Sequence, residues 1–301
     1  MSIFEDQPSL CDLPLAQIIS YLEEIEDNDG AQSLQRRGAS GQSLFGGNRK
    51  YLIGSHMLGF IAPGAGHMRL PIVPAITLQP EKDLIGTSIK ITLDKFRVAN
   101  YPGTGQHRIL TEIFGRNQAG RETEDLRFST MLSAKDNDSA GAFGVPIFTG
   151  LKVPADGLAL EARTVRVGST TDDAIIEALE SAPFKEGLKL LAHVQPVLPQ
   201  LVSLASGATT SLLKRKKNAQ VQKFVVGLDF GGSATSAKLR LGSYVVVQAP
   251  DDGSFNWTDW KFDPQSSSII NDQNEVAPFN TIVFGISPSA ADTPLSAQRE
   301  H

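Results

Sequence analysis

The sequence predicts a mainly β protein: an antiparallel β-sandwich that carries an inserted, bent pair of helices and a short N-terminal helix. Three observations support this fold class. Short runs rich in β-branched and aromatic residues recur along the chain, glycine, proline and asparagine separate them, and one apolar stretch with helical spacing interrupts them. The predicted strands are residues 72–78, 88–100, 107–114, 126–132, 147–153, 158–167, 224–230, 243–248 and 280–286.

Residues 88–100 show the clearest strand pattern. The apolar residues Ile89, Ile91 and Leu93 alternate with polar side chains up to Asp94. Because successive side chains of a strand point to opposite faces, this alternation predicts one face in the core and one in water.

Composition narrows the class of protein. The chain has 301 residues, a net charge of −5 and 41% hydrophobic residues, which is ordinary globular usage. The single cysteine, Cys11, excludes an intramolecular disulfide framework and a multi-cysteine zinc site. A negative net charge gives no general attraction to phosphate backbones, so we expect no nucleic-acid partner. The N-terminus lacks a basic region followed by an apolar one, so we expect a cytoplasmic protein.

We divide the chain into three parts. Residues 1–48 hold an amphipathic helix over 13–26, with Asp12 as its N-cap, and then a Gly-, Gln- and Ser-rich flexible arm. Residues 49–286 form the β-sandwich domain, and residues 287–301, which lack a pattern, form a C-terminal tail.

The helical insertion covers residues 172–217. A first helix follows Asp172, and apolar residues spaced by three and four then continue from Phe184. Pro196 and Pro199 should bend or break this second run, which predicts a bent pair of helices. The run ends at a basic cluster, Lys214, Arg215, Lys216 and Lys217.

The insertion is the predicted contact surface. Our preferred interpretation is a non-enzymatic interaction protein that binds a protein partner, or a second copy of itself, through the sandwich and its apolar helices. The alternative is a membrane-acting effector whose residues 184–217 enter or disrupt a bilayer when released, with the basic cluster meeting anionic headgroups and giving a conditional membrane association. A further interpretation is that these helices only cover an open end or face of the sandwich and that the basic cluster is solvated. The contact residues in either case are Leu191, Val194, Leu198, Leu201, Leu212, Lys214, Arg215, Lys216 and Lys217.

Acidic residues cluster in two predicted loops, as Asp136 with Asp138 and as Asp251 with Asp252. Acidic loops between alternating strands resemble those of C2-type sandwiches, and this resemblance implies bound Ca²⁺. The alternative is that these carboxylates are solvated turn residues. We expect no other cofactor.

Trp257 and Trp260 lie in a predicted loop that is rich in Asp and aromatic residues. They form either an aromatic contact surface or part of the core, because aromatic side chains contribute strongly to both.

Residues 226–236 read Val-Gly-Leu-Asp-Phe-Gly-Gly-Ser-Ala-Thr-Ser. This string resembles the first phosphate loop of the ATPases that include actin, the heat-shock chaperones and sugar kinases, which implies a metal-water role for Asp229. Only about seventy residues follow the string, fewer than the rest of such a domain needs, so we expect a strand that leaves through a glycine turn. We assign no catalytic residue.

Overall fold

The computed structural model describes residue 4 and residues 7–40, 49–64, 68–119, 122–168, 177, 187–190 and 198–289. Its helices are α1 (Leu15–Glu24), α2 (Asn28–Ser40) and α3 (Leu198–Leu213). Its strands are β1 (His56–Ile61), β2 (Leu70–Pro71), β3 (Val73–Pro74), β4 (Ser88–Val98), β5 (Gln106–Ala119), β6 (Glu122–Lys135), β7 (Asp138–Ala140), β8 (Val145–Lys152), β9 (Leu158–Val167), β10 (Leu188–Lys189), β11 (Ala219–Asp229), β12 (Ala237–Lys238), β13 (Gly242–Gln248), β14 (Lys261–Asp263), β15 (Ser268–Ile270) and β16 (Asn280–Pro288).

Two mostly antiparallel sheets form the sandwich, which confirms the predicted fold class. The larger sheet runs β10-β8-β4-β16-β13-β1-β3, with β7 also paired to β4, and the smaller sheet runs β12-β11-β9-β5-β6. The main core lies between them, and alternate residues of each strand fill it, such as Ile91 of β4, Ile113 of β5 and Ile282 of β16.

A small third sheet, β15-β14-β2, covers part of the outer face of the larger sheet. A second apolar cluster lies between them and contains Val245, Val247 and Ile269. Trp257 packs into this cluster over Gly59, where a Cβ atom would stand 2.7 Å from the indole ring. The glycine therefore makes room for the tryptophan.

The outer face of the smaller sheet is covered by α3 and by an N-terminal segment, in which the Phe4 ring contacts Arg163 of β9 and residues 7 and 9 accept hydrogen bonds from Gln220 of β11. Ala205, Ala208 and Leu212 of α3 are buried against Leu110 and neighbouring apolar residues of the sheet. In this way the helix contributes to the fold through its apolar face.

Residues 27–48, predicted as a flexible arm, contain the helix α2. This helix packs against α1, with Ala31 and Leu34 buried. At its start, the Asp27 carboxylate accepts a hydrogen bond from the backbone N–H of Gly30 at 2.9 Å. The sequence does not predict this helix because its composition is polar and only two of its residues bury apolar side chains, too few to give a helical period. Residues 41–48 lie outside the described ranges.

The start of α1 also differs from the prediction. The helix begins at Leu15, directly after Pro14, and Asp12 instead belongs to a preceding 3₁₀ turn, Leu10–Asp12. There its carboxylate accepts a hydrogen bond from the backbone N–H of Ser9 at 3.3 Å.

The insertion differs from the predicted helical pair in two respects. Leu188 and Lys189 form a strand that pairs in parallel with β8, because Leu188 fills the main core. Pro199 lies in the first turn of α3, where a helix does not use the backbone N–H that proline lacks, so it does not bend the helix. Of residues 169–186 the structure describes Glu177, which is helical, and the predicted bend at Pro196 lies outside the described residues.

Strand boundaries account for two further differences. Residues 72–78, predicted as one strand, form the two-residue strand β3 and a 3₁₀ turn over Ala75–Thr77. The last strand extends to Pro288, beyond the predicted start of the tail, because Ser287 and Pro288 still pair with β4. Residues 290–301 lie outside the described ranges.

Candidate functional site

A β-bulge in the middle of β4 places two charged residues side by side on the outer face of the larger sheet. Leu93 pairs with Phe284 of β16 and Lys95 pairs with Val283, the residue next to Phe284. Asp94, between them, is therefore the extra residue of the bulge and is paired with no residue of β16. A bulge of this kind reverses the alternation of the strand. As a result, both Asp94 and Lys95 face the same groove.

The groove lies between this outer face and the small third sheet, and it has a volume of about 480 Å³. Strands distant in sequence supply its walls. Most of its side chains are apolar, and Asp94 and Lys95 bring charge into it. The apolar side chains that line it include Ile61, Leu70, Phe143, Phe262 and Val283.

Phe143 stands at this groove with 77% of its side chain exposed. Its neighbour Ala142 is fully buried and anchors the loop between β7 and β8. Gly144 follows with φ of 63°, a conformation that glycine adopts without strain. The loop therefore holds an aromatic ring in solvent. Met68, two residues before the groove residue Leu70, is 82% exposed.

The carboxylate of Asp94 is half-buried in the groove. The Thr92 hydroxyl donates a hydrogen bond to its Oδ1 at 2.6 Å. Gly285 of β16 leaves space for the carboxylate, because a Cβ atom there would lie 2.5 Å from Oδ2. Burial raises the pKa of Asp94, although the hydrogen bond from Thr92 and the charge of Lys90 oppose the shift.

Lys95 lines the same groove as Asp94 but does not pair with it. Its ammonium group donates hydrogen bonds to the carbonyl oxygen of Ser267, in the turn between β14 and β15, and, at 3.5 Å, to the hydroxyl of Ser268, the first residue of β15. Burial lowers the pKa of Lys95, and the nearby charge of Arg97 adds to the effect. Within the ranges that the structure describes, Asp94 makes no ion pair.

The basic cluster predicted from the sequence lies at the C-terminal end of α3. Lys214, Arg215 and Lys216 are exposed and line a second cleft, of about 440 Å³, between this end and the N-terminal segment with α1. Lys217 is half-buried, and its carbonyl oxygen accepts a hydrogen bond from Arg166 at 3.1 Å.

The predicted apolar contact residues are placed differently. Leu212 of α3 is fully buried against the smaller sheet, whereas Leu198 is the first residue of that helix and Leu201 is the fourth. Leu191 and Val194 lie outside the described residues. In the part of the chain that is described, no helix has both the length and the apolar character needed to cross a membrane.

The acidic loops lie at one end of the sandwich. Asp136 accepts hydrogen bonds from the ring of His107 at 2.8 Å and from the backbone N–H of Tyr101 at 2.9 Å, so its carboxylate fixes the turn after β4. Asp138 begins β7, and Asp251 and Asp252 follow β13. Among the described residues, no three His, Cys, Asp or Glu side chains are grouped to hold a metal ion, and the Ca²⁺ site remains a prediction.

The two tryptophans belong mainly to the core of the third sheet. Trp257 is 6% exposed and contacts Phe255 edge-on at 4.8 Å between ring centroids. Trp260 is half-buried and contacts Phe279 at 6.3 Å. Neither indole lines the groove.

The string that resembles a phosphate loop leaves β11 as a turn. Asp229 accepts hydrogen bonds from the Lys238 ammonium group at 3.1 Å and from the backbone N–H of Gly231 at 3.0 Å. Its carboxylate thus closes the turn between β11 and β12.

The groove is not among the sites predicted from the sequence, but one feature of the sequence indicates it. The alternation that predicts β4 breaks at Asp94 and Lys95, where two charged residues stand together before Phe96. Such a break inside a strand is typical of a bulge. No protein-family model, curated protein or solved structure matches this chain.

Proposed function

We propose that the protein is an interaction module that binds an extended segment of a partner protein in the groove between the larger sheet and the small third sheet. The single observation that supports this most is the exposed ring of Phe143 beside an apolar groove of about 480 Å³. Large apolar side chains held in solvent next to a concave apolar surface are typical of binding sites.

The position of Phe143 in its loop supports a role of the exposed ring in binding a partner. Phe143 stands between buried Ala142, which anchors the backbone on one side, and Gly144, whose φ is 63°, so the backbone directs the ring away from the core. A phenylalanine side chain has two rotatable bonds, so fixing its ring on binding costs little conformational entropy. A partner side chain can pack between Phe143 and the groove residue Phe262.

A selection experiment tests this proposal. The full-length protein is immobilised and exposed to a phage-displayed library of random linear peptides, and the enriched peptides are then tested on two variants. Phe143→Ser removes the proposed anchor. Val225→Ser is the matched control, because Val225 is 59% exposed on β11, in the other sheet.

The proposal expects enriched peptides that bind the wild type and Val225→Ser equally and lose binding to Phe143→Ser. Enrichment of peptides that are indifferent to Phe143→Ser, or no enrichment at all, would contradict it. If the enriched peptides match a segment of this chain, analytical ultracentrifugation tests whether the partner is a second copy.

A second candidate function is peripheral binding to an anionic membrane. It is favoured by the three exposed cations, Lys214, Arg215 and Lys216, that line one cleft at the end of α3. Polybasic clusters bind anionic lipid surfaces electrostatically. Because α3 buries its apolar face on the sheet, this form of binding uses the cluster and leaves the helix in place.

A further inference from the structure

The groove of the proposed interaction site contains one carboxylate, Asp94, whose charge lacks an ion-pair partner in the described structure. We infer that the segment bound in this groove carries a lysine or arginine whose cation pairs with Asp94, next to an apolar side chain that packs on Phe143. This inference rests on the proposed function and specifies its partner as a basic, partly apolar peptide segment.

Three other buried or half-buried carboxylates differ from Asp94 because each is bound by a basic side chain. Glu112 pairs with Arg163 at 2.7 Å, Asp229 with Lys238 at 3.1 Å, and Asp136 binds His107 at 2.8 Å. Removing a carboxylate from water costs free energy unless a cation or hydrogen-bond donors compensate it. Asp94 has a hydrogen bond from Thr92 but no ion pair, although a lysine follows it directly in sequence.

The local backbone maintains this arrangement. The bulge brings Asp94 into the groove, and Lys95 is held by the turn at Ser267. Gly285 provides the space for the carboxylate, and the Thr92 hydrogen bond to Oδ1 fixes its orientation. A carboxylate has two oxygens, so Oδ2 is left to accept a hydrogen bond from a partner's cation.

The aromatic residues of the groove suit the same cation. Phe143 and Phe262 line the groove together with Asp94. An ammonium or guanidinium group is attracted both by a carboxylate and by the face of an aromatic ring. The other charge in the groove, the ammonium group of Lys95, is bound to the carbonyl oxygen of Ser267, so a segment without a cation would leave Asp94 desolvated and unpaired.

The test uses the peptides that the selection on the full-length protein enriches and that depend on Phe143. One of them is labelled with fluorescein, and its Kd is measured by fluorescence anisotropy for the wild type, Asp94→Asn and Asp83→Asn. Asp83 is the matched control because it is exposed and does not line the groove. A version of the peptide with its basic residue replaced by norleucine completes a double-mutant cycle.

The inference expects lysine or arginine at one position of the enriched peptides. Asp94→Asn should weaken binding about tenfold or more, as for other hydrogen-bonded charge pairs at interfaces, and Asp83→Asn should leave it unchanged. Asp94→Asn should have little effect on the norleucine peptide. The wild-type Kd should rise with added salt.

The outcomes separate the two claims. Peptides that depend on Phe143 but have no preferred basic residue and bind Asp94→Asn as tightly as the wild type would overturn this inference and leave the proposed function standing. Peptides that do not depend on Phe143 would overturn the proposed function itself.

Discussion

Arg163 on β9 donates a hydrogen bond from its Nε to Oε2 of Glu112 on β5, at 2.7 Å, and both side chains are almost completely buried. Arg127 of β6 binds the other oxygen of Glu112 at 3.2 Å and also donates to Ser206 of α3 at 2.9 Å. The ring of Phe4 lies over the Arg163 guanidinium at 4.3 Å. This buried network therefore connects α3 and the N-terminal segment to the sheet that they cover.

The substitution Glu112→Gln tests that network. It removes the negative charge that the buried Arg163 guanidinium and Arg127 both bind, and loss of one partner from a buried ion pair is strongly destabilising, so we expect the free energy of unfolding to fall by about 3–5 kcal/mol. Urea denaturation measures the change.

The control for this prediction is Asp125→Asn. Asp125 pairs with Arg116 at 3.2 Å, but both side chains are 61% exposed, and an exposed pair of this kind contributes less than about 1 kcal/mol. Equal losses in the two variants would contradict the assigned role of Glu112.

The substitution Gly59→Ala tests the packing of Trp257. The added Cβ would stand 2.7 Å from both the indole ring and the Ile72 side chain, which have little room to move in the core of the third sheet. We expect a loss of about 1–3 kcal/mol in the free energy of unfolding and a shift in tryptophan fluorescence. The control is Gly227→Ala in β11, where a Cβ meets no atom within 4 Å. A Gly59→Ala protein as stable as this control would show that Trp257 is not packed as described.

The substitution Asp94→Asn tests the electrostatic state of the groove without any ligand. Burial raises the pKa of Asp94 above its ordinary value of 3.8, so the folded protein binds this proton more tightly than the unfolded chain does. The resulting stabilisation is complete below pH 3.8 and is lost as the pH rises through the raised pKa.

At neutral pH the folded wild type therefore carries a partly desolvated charge that the asparagine lacks. Since asparagine still offers an oxygen to Thr92, Asp94→Asn should be more stable than the wild type at neutral pH, by less than about 1 kcal/mol because the side chain is only half-buried. The difference should shrink as the pH falls towards 3.8. Chemical denaturation across this pH range measures it, and a variant that is less stable at neutral pH would contradict the assignment.

The basic cluster gives a fourth prediction. Replacing Lys214, Arg215, Lys216 and Lys217 with glutamine should leave the melting temperature nearly unchanged, because three of the four side chains are exposed. If the second candidate function holds, the same variant should lose sedimentation with vesicles that contain phosphatidylserine. A wild type that does not sediment with these vesicles would exclude that function.

The sequence predicted the sandwich because its strands bury one face and alternate clearly. In β4, for example, Ile89, Ile91 and Leu93 all lie in the core. It did not predict α2, whose buried apolar side chains are those of Ala31 and Leu34, too few to show a helical period. Pro199 suggested a bend because sequence alone does not show where in a helix a proline lies.

The groove could be predicted only in part. The break in alternation at Asp94 and Lys95 marks a bulge, and it can be read from the sequence. The walls of the groove cannot be predicted from the sequence, because they are formed by residues as far apart in the chain as Ile61 and Val283. The exposure of Phe143 does not follow from local pattern, and neither does the absence of an ion pair for Asp94 among the described residues, since both depend on the tertiary structure.

The most direct test of the central claim is the affinity of a selected peptide for the wild type, Phe143→Ser and Val225→Ser, measured by fluorescence anisotropy. Phe143 is the proposed anchor, so its loss should weaken binding about tenfold or more, whereas Val225→Ser should change the Kd by less than about twofold. Equal affinity of all three proteins for every selected peptide would show that the groove is not the binding site.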